Sequence, residues 1–165
     1  LFGYGDIAKS VEQVALAFGM RVIIAERSGA KTVRENRISY QQAIETADII
    51  SLHCPLSPDT QYMVDEQFLR AMKTDAVLVN TARGGLIDEQ ALANALQQGH
   101  IQAALLDGLS QEPPALNNPL LVPQANLMLT PHTAWASEQA RQTLVDEIAK
   151  NIAAFKQGKP RNQIS

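Results

Sequence analysis

Cysteine is nearly absent: Cys54 stands alone among 165 residues. A single thiol forms no intrachain disulfide and, without companions, no cysteine-based zinc site; it suits a reducing cytoplasm, and no metal centre is expected. Long apolar runs are missing too, none approaching the roughly 20 residues that cross a bilayer. No signal peptide is expected ahead of the first structured residues. An excess of positive charge is also lacking. Lys+Arg 14 against Asp+Glu 17 gives a formal charge of -3, and no cluster interleaves basic with aromatic residues. That excludes the electrostatic footprint of a nucleic-acid binder. The expectation is a soluble, cytoplasmic protein with neither membrane nor nucleic acid among its partners.

Apolar residues, by contrast, make up 45% of the chain, enough for the core of one domain at this length. They are arranged in alternating patterns. Ile7, Val11, Val14, Ala15 and Phe18 share a helical face that Gly19 stops, and "RVIIA" then reads as a strand. Ser39 and Gln42 form a capping-box pattern for a short helix, followed by the strand "DIISLH". "DEQFLRAM" reads as a helix and "AVLVN" as a strand. Asp88 caps the next helix, whose Ala91, Leu92, Ala95 and Leu96 face inward, and Gly99 ends it. "QAALLD" is the next strand. Four prolines between Gly108 and Ala125 predict an ordered surface loop. "LMLT" is a last strand, and Ser137 caps a final helix expected to turn Leu144, Val145, Ile148, Ile152 and Phe155 inward. Strands alternating with helices imply an α/β fold with a parallel sheet and helices on both faces. No linker or repeat divides the chain. The opening "LFGYG" has only two apolar residues before its glycine turn, where a parallel strand usually has about five or six. The expectation is therefore the later part of a longer polypeptide.

The glycine turn carries the first chemistry. In "GYGDIA", Gly3, Gly5 and Ala8 fit the G-x-G-x-x-G/A pattern between a strand and a helix, the dinucleotide fingerprint of a Rossmann-type, doubly wound sheet. Gly3 permits the turn, Gly5 lets backbone approach a pyrophosphate, and the amides of Asp6 and Ile7 point at it from the helix N-terminus. Glu26 follows the second strand 21 positions after Gly5 (26 minus 5), where an acid accepts from the adenosine ribose and repels a 2'-phosphate. This favours NAD, although the neighbouring Arg27 keeps NADP open. Arg83 sits in the turn between "AVLVN" and a helix, at the edge where parallel strands open a ligand crevice. Asp107 ends another strand at that edge, Glu112 lies in the loop after it, and His132 follows the last strand. A histidine backed by a carboxylate passes a proton to a carbonyl, and an arginine clamps a carboxylate through two parallel bonds. Together they equip the reduction of a 2-oxo acid. Cys54 is read as a small packed residue rather than a nucleophile, and His53 as structural.

Taken with these residues, "GYGDIA", "SLHCPLSPDT", "NTARGGLIDEQAL", "LLDGLSQEPP" and "LTPHTAWAS" resemble, in order and spacing, the D-isomer-specific 2-hydroxyacid dehydrogenases over essentially the whole chain. "HCPL", the double proline after Glu112, "HTAWAS" and the ending "GKPRNQIS" are most similar to the glycerate dehydrogenase or hydroxypyruvate reductase branch. The resemblance implies that Arg83 binds the substrate's carboxylate and carbonyl, that His132 is the acid/base, and that Glu112 bonds to it and raises its pKa. It implies that Asp6 and Ile7 contact the pyrophosphate, Glu26 the ribose, and Thr81, Ala82 and Arg83 with Asp107 the nicotinamide half. Cys54 and Pro55 resemble a contact made by backbone and shape, with Thr60 and Ala134 among the remaining cofactor contacts. Ala8 replaces the usual third glycine, and Gly108 stands where the family has a branched residue, which would loosen the Glu112 loop. The family also implies a second, substrate-binding domain from an N-terminal segment, a small 2-oxo or 2-hydroxy acid as substrate, and a homodimer. Two alternatives stay open: a nucleotide-sensing protein of the C-terminal-binding-protein corepressor type, and a dehydrogenase for another acid such as formate.

Overall fold

The computed structural model describes residues 1–163, so the last two letters of "GKPRNQIS" lie outside the described residues. The described chain falls into two compact units, Leu1–Pro131 and the residues from His132 onward.

In the first unit, four parallel strands, β1 (Ile49–Leu52), β2 (Val77–Asn80), β3 (Ala103–Asp107) and β4 (Leu127–Thr130), lie side by side in chain order. Three short extended pieces widen the sheet beyond β1. Phe2 bridges Leu52, the Ala25 amide donates to the Leu1 carbonyl at 3.0 Å, and Ala25 bridges Ile38. The lateral order is thus 38, 25, 2, β1, β2, β3, β4, and chain direction across the sheet reverses between Phe2 and β1. That reversal is the switch point at which ligands bind in doubly wound sheets. "RVIIA" forms only this single bridge, from Ala25 to Ile38, rather than a full strand.

The helices of this unit are α1 (Asp6–Ala17), α2 (Tyr40–Thr46), α3 (Glu66–Ala71) and α4 (Glu89–Gln97). Polar side chains start three of them. Ser39 Oγ accepts from Gln42 N at 3.2 Å, Asp65 from Phe68 N at 2.8 Å, and Asp88 from both Gln90 N and Ala91 N at 3.0 Å. Such caps satisfy amides that the helix itself leaves unbonded, each stabilising by about 1 kcal/mol. Their apolar faces then close on the sheet: Ile44, Leu69, Leu92 and Leu96 are buried against a core that includes Ile50, Leu52, Leu78 and Leu106. Each such side chain contributes about 1.5–3 kcal/mol on leaving water. Phe2, Tyr40 and Phe68 form an aromatic trio with centroids 5.4–6.0 Å apart, Tyr40 meeting both phenylalanines edge-on. It pins the residue just before the glycine turn.

The second unit holds α5 (Glu138–Lys156), started as expected by Ser137, whose Oγ accepts from Ala140 N at 3.1 Å. Its apolar residues are not inward. Leu144, Val145, Ile148, Ile152 and Phe155 are all exposed, and no residue of the helix is buried. The helical period marks a face suited to burial, and a single helix has nothing of its own to bury it in.

Candidate active site

The glycine turn is a tight joint at the switch point. Gly3 has φ +90, and a Cβ there would stand 2.6 Å from the Cys54 amide nitrogen and from the His53 carbonyl carbon. Only glycine allows this approach. A Cβ on Gly5 would meet nothing within 4 Å, and Gly5 precedes α1 with no side-chain cap. No side chain caps the first-turn amides of this 12-residue helix. A pyrophosphate fits these features, drawn by the helix's positive end. Ala8 is fully buried, so its methyl is packed.

Beyond the adjoining bridge, Glu26 is 4% exposed and closely held. Its Oε1 accepts from Arg27 N at 2.9 Å and from an Arg34 terminal nitrogen at 2.5 Å, and its Oε2 accepts from Arg34 Nε at 2.8 Å and Arg34 N at 3.2 Å. The Arg34 guanidinium, followed by the Arg27 amide, holds this carboxyl far below the usual carboxylate range.

After β1, Cys54 donates to Met63 Sδ at 3.4 Å, and burial pushes its thiol pKa up. A thiol kept protonated is a packing group, not a nucleophile. His53 Nε2 lies 2.9 Å from Ser51 Oγ, and burial lowers its pKa. Thr60 Oγ1 donates to the Pro55 carbonyl at 2.7 Å and accepts from Ser57 N at 2.8 Å, fixing the turn that follows Pro55.

After β2 the turn bearing Arg83 is braced by Asn80, a residue outside the candidate site set. Asn80 is 2% exposed, its Oδ1 accepts from Ala82 N at 3.0 Å, and its Nδ2 donates to the Arg83 carbonyl at 2.8 Å. The signal was available: a polar residue ending a buried apolar strand needs partners close by. Arg83 itself is exposed, as is Thr81, with the guanidinium donating to the Ala82 carbonyl at 2.7 Å.

This turn touches its neighbours on both sides. A Cβ on Gly85 would come within 2.9 Å of Leu56, and the Gly85 carbonyl accepts from Tyr62 N at 3.0 Å. A Cβ on Gly84 would fall 2.0 Å from the Leu109 carbonyl carbon and 2.4 Å from Ser110 N. Backbone therefore meets backbone between the Arg83 turn and the loop that carries Glu112. Glu89, in the first turn of α4, ties that loop down: its carboxylate accepts from Ser110 N and from Asn118 Nδ2, each at 2.6 Å. Glu112 is exposed, and its Oε1 accepts from Leu109 N at 3.1 Å. Gly108 has φ 112, a conformation that a branched residue rarely adopts. Asp107, 7% exposed, accepts from Thr130 Oγ1 at 2.6 Å.

In the second unit His132 has φ 53, an uncommon left-handed backbone for a residue other than glycine, and its carbonyl accepts from the Trp135 indole at 2.8 Å. Such outliers gather at functional sites. Ala134 is exposed in the turn that follows.

The first unit thus joins four loops in sequence: the glycine turn to Cys54, the Cys54–Thr60 turn to the Arg83 turn, and the Arg83 turn to the Glu112 loop. Against known proteins, residues 1–134 match the NAD binding domain of D-isomer specific 2-hydroxyacid dehydrogenases. The chain is 41% identical over 165 residues to a glycerate dehydrogenase of Methylorubrum extorquens, covering 99% of this chain and 51% of that one. It is 38% identical over 170 residues to a glyoxylate reductase of Korarchaeum cryptofilum, covering 100% and 51%. Among solved structures it is similar to the acyclic imino acid reductase Bsp5 in complex with NADPH and D-Arg, with TM-score 0.86, 39% identity, and coverage of 99% and 52%. The chain spans about half the length of the curated relatives it matches.

Proposed function

This chain belongs to the D-isomer specific 2-hydroxyacid dehydrogenases, of which it carries the NAD binding domain, and on that premise we propose that the protein containing it interconverts a small D-2-hydroxy acid and its 2-oxo acid. The relatives' activities point to glycerate with hydroxypyruvate, or to glyoxylate. When bound, the nicotinamide supplies or takes the hydride at C2 of the acid. The chain's own residues do the rest. The amides of Asp6 and Ile7 bind the pyrophosphate beside Gly3 and Gly5, while Cys54, Pro55, Thr60, Thr81, Ala82, Asp107 and Ala134 border the nicotinamide half. Arg83 grips the substrate carboxylate and orients the carbonyl. His132 moves a proton at the C2 oxygen, with Glu112 proposed as its carboxylate partner. A second, substrate-binding domain supplies the remaining wall of the pocket, and two copies pair in the working enzyme.

The observation that carries this reading is the backbone contact at Gly84, which places the turn of Arg83 directly against the loop of Glu112. That joins a carboxylate-binding cation to the loop of a proton-transfer partner at the end of a dinucleotide sheet. The test is NADH oxidation by the full-length protein with hydroxypyruvate, glyoxylate and pyruvate in turn. Turnover with at least one of the first two is expected. Failure with all three removes the proposal.

A further inference from the structure

Resting on the reading of this chain as the nicotinamide-dinucleotide half, we propose that Arg34 withdraws Glu26 from cofactor selection and leaves the adenosine end of the site open to NADH and NADPH alike. An acid at this position selects NADH in two ways: it accepts from the ribose hydroxyls and it repels a 2'-phosphate. Both depend on a carboxylate with a free lone pair and an uncompensated charge. Glu26 has neither. A carboxylate offers about four acceptor sites, and four donors from Arg27 and Arg34 fill them at 2.5–3.2 Å. The fork of Arg34 lies across both oxygens, so a ribose hydroxyl gains a bond to Glu26 only by breaking a charge-assisted one. The carboxylate is also 4% exposed, whereas the Arg34 side chain is 53% exposed. What faces solvent at the end of this bridge is cation rather than acid.

The surrounding segment agrees. From Glu26 to Arg37 there are four bases, Arg27, Lys31, Arg34 and Arg37, against two acids, Glu26 and Glu35. Arg37 is occupied, donating to the Ala25 carbonyl at 3.2 Å with its guanidinium 6.0 Å from the centre of the Tyr4 ring. Arg27 and Lys31 are exposed in the same segment and are the groups proposed to meet a 2'-phosphate. A segment of this charge attracts that phosphate, and the one acid at its base is already neutralised.

The experiment is a titration of the full-length protein with NADH and with NADPH, followed by reduced-nicotinamide fluorescence, with no substrate present. The wild-type dissociation constants are expected to agree within about fivefold, a gap of about 1 kcal/mol. Arg34→Ala releases Glu26 and is expected to raise the ratio of the NADPH to the NADH constant by about tenfold or more. Should that variant not fold, Arg34→Gln serves the same comparison, and Arg27→Ala is expected to weaken NADPH relative to NADH by a similar factor. A purely structural role for Arg34 would weaken both dinucleotides equally. That outcome, or a wild-type preference for NADH beyond about thirtyfold, overturns the proposal while leaving the dehydrogenase reading intact. Binding of neither dinucleotide overturns both.

Discussion

Glu26 is buried on four donors, three of them from Arg34, and a proton on its carboxyl weakens those charge-assisted bonds. Its folded pKa is depressed below the ordinary 4.5, chiefly by Arg34. A depressed carboxylate contributes stability that is present above the unfolded value and is lost as pH falls through the folded one. The loss therefore begins below about pH 4.5 and grows toward stronger acid. Thermal melts between pH 7 and 3 should show wild-type Tm falling more steeply below that point than the Tm of Glu26→Gln, which has no charge to lose. Parallel curves would show that the pair contributes nothing to folding. Part of this was legible: the 21-residue spacing picked out Glu26, but no pattern announces that an arginine eight positions on will fold back over it. That contact depends on the path of an irregular loop, which has no period to read.

Elements were legible where local chemistry repeats. Asp88 and Ser39 cap helices at their expected places, β4 matches "LMLT" residue for residue, and Ala91, Leu92, Ala95 and Leu96 are buried as their spacing implies. How the loops between elements fit together is not legible in the same way. Asn80, Glu89 and Gly84 each act on a loop other than their own or on the next turn, so their partners lie outside any local window. Gly84 makes the sharpest case. A methyl group there would stand 2.0 Å from backbone that has no side chain to swing aside. Gly84→Ala is expected to push the Leu109–Glu112 segment away from Arg83, destabilising the protein by about 1–3 kcal/mol. It should also lower kcat/KM for the 2-oxo acid well beyond what the lost stability explains. Denaturant titration beside steady-state kinetics separates the two, and an Ala variant with unchanged activity would remove the coupling of these loops.

Across the whole molecule, apolar surface is left uncovered in both units. In the first, Val14 and Phe18 on α1 and Leu116, Leu121 and Val122 in the proline-rich loop are exposed, Leu116 by 99%. In the second, the stripe on α5 is exposed along its length. Among the described residues no helix is long and apolar enough to cross a membrane, which takes one explanation away. A second copy of the chain is the proposed cover for the loop. Light scattering of the full-length protein is expected to give a dimer, and Leu116→Asp combined with Val122→Asp to shift it toward monomer. A wild-type monomer would contradict this, and so would a double variant that pairs unchanged.

The Arg83 turn, braced by Asn80 and seated against the Glu112 loop, is proposed to grip the carboxylate of a 2-oxo acid. The most direct measurement is kcat/KM of the full-length protein for hydroxypyruvate with NADH, in wild type and in Arg83→Gln, with Tm recorded for both. A fall of about a hundredfold or more at unchanged Tm is the expected result, since a bidentate charged clamp is lost from an exposed side chain with no core role. An Arg83→Gln enzyme as active as wild type would contradict the account.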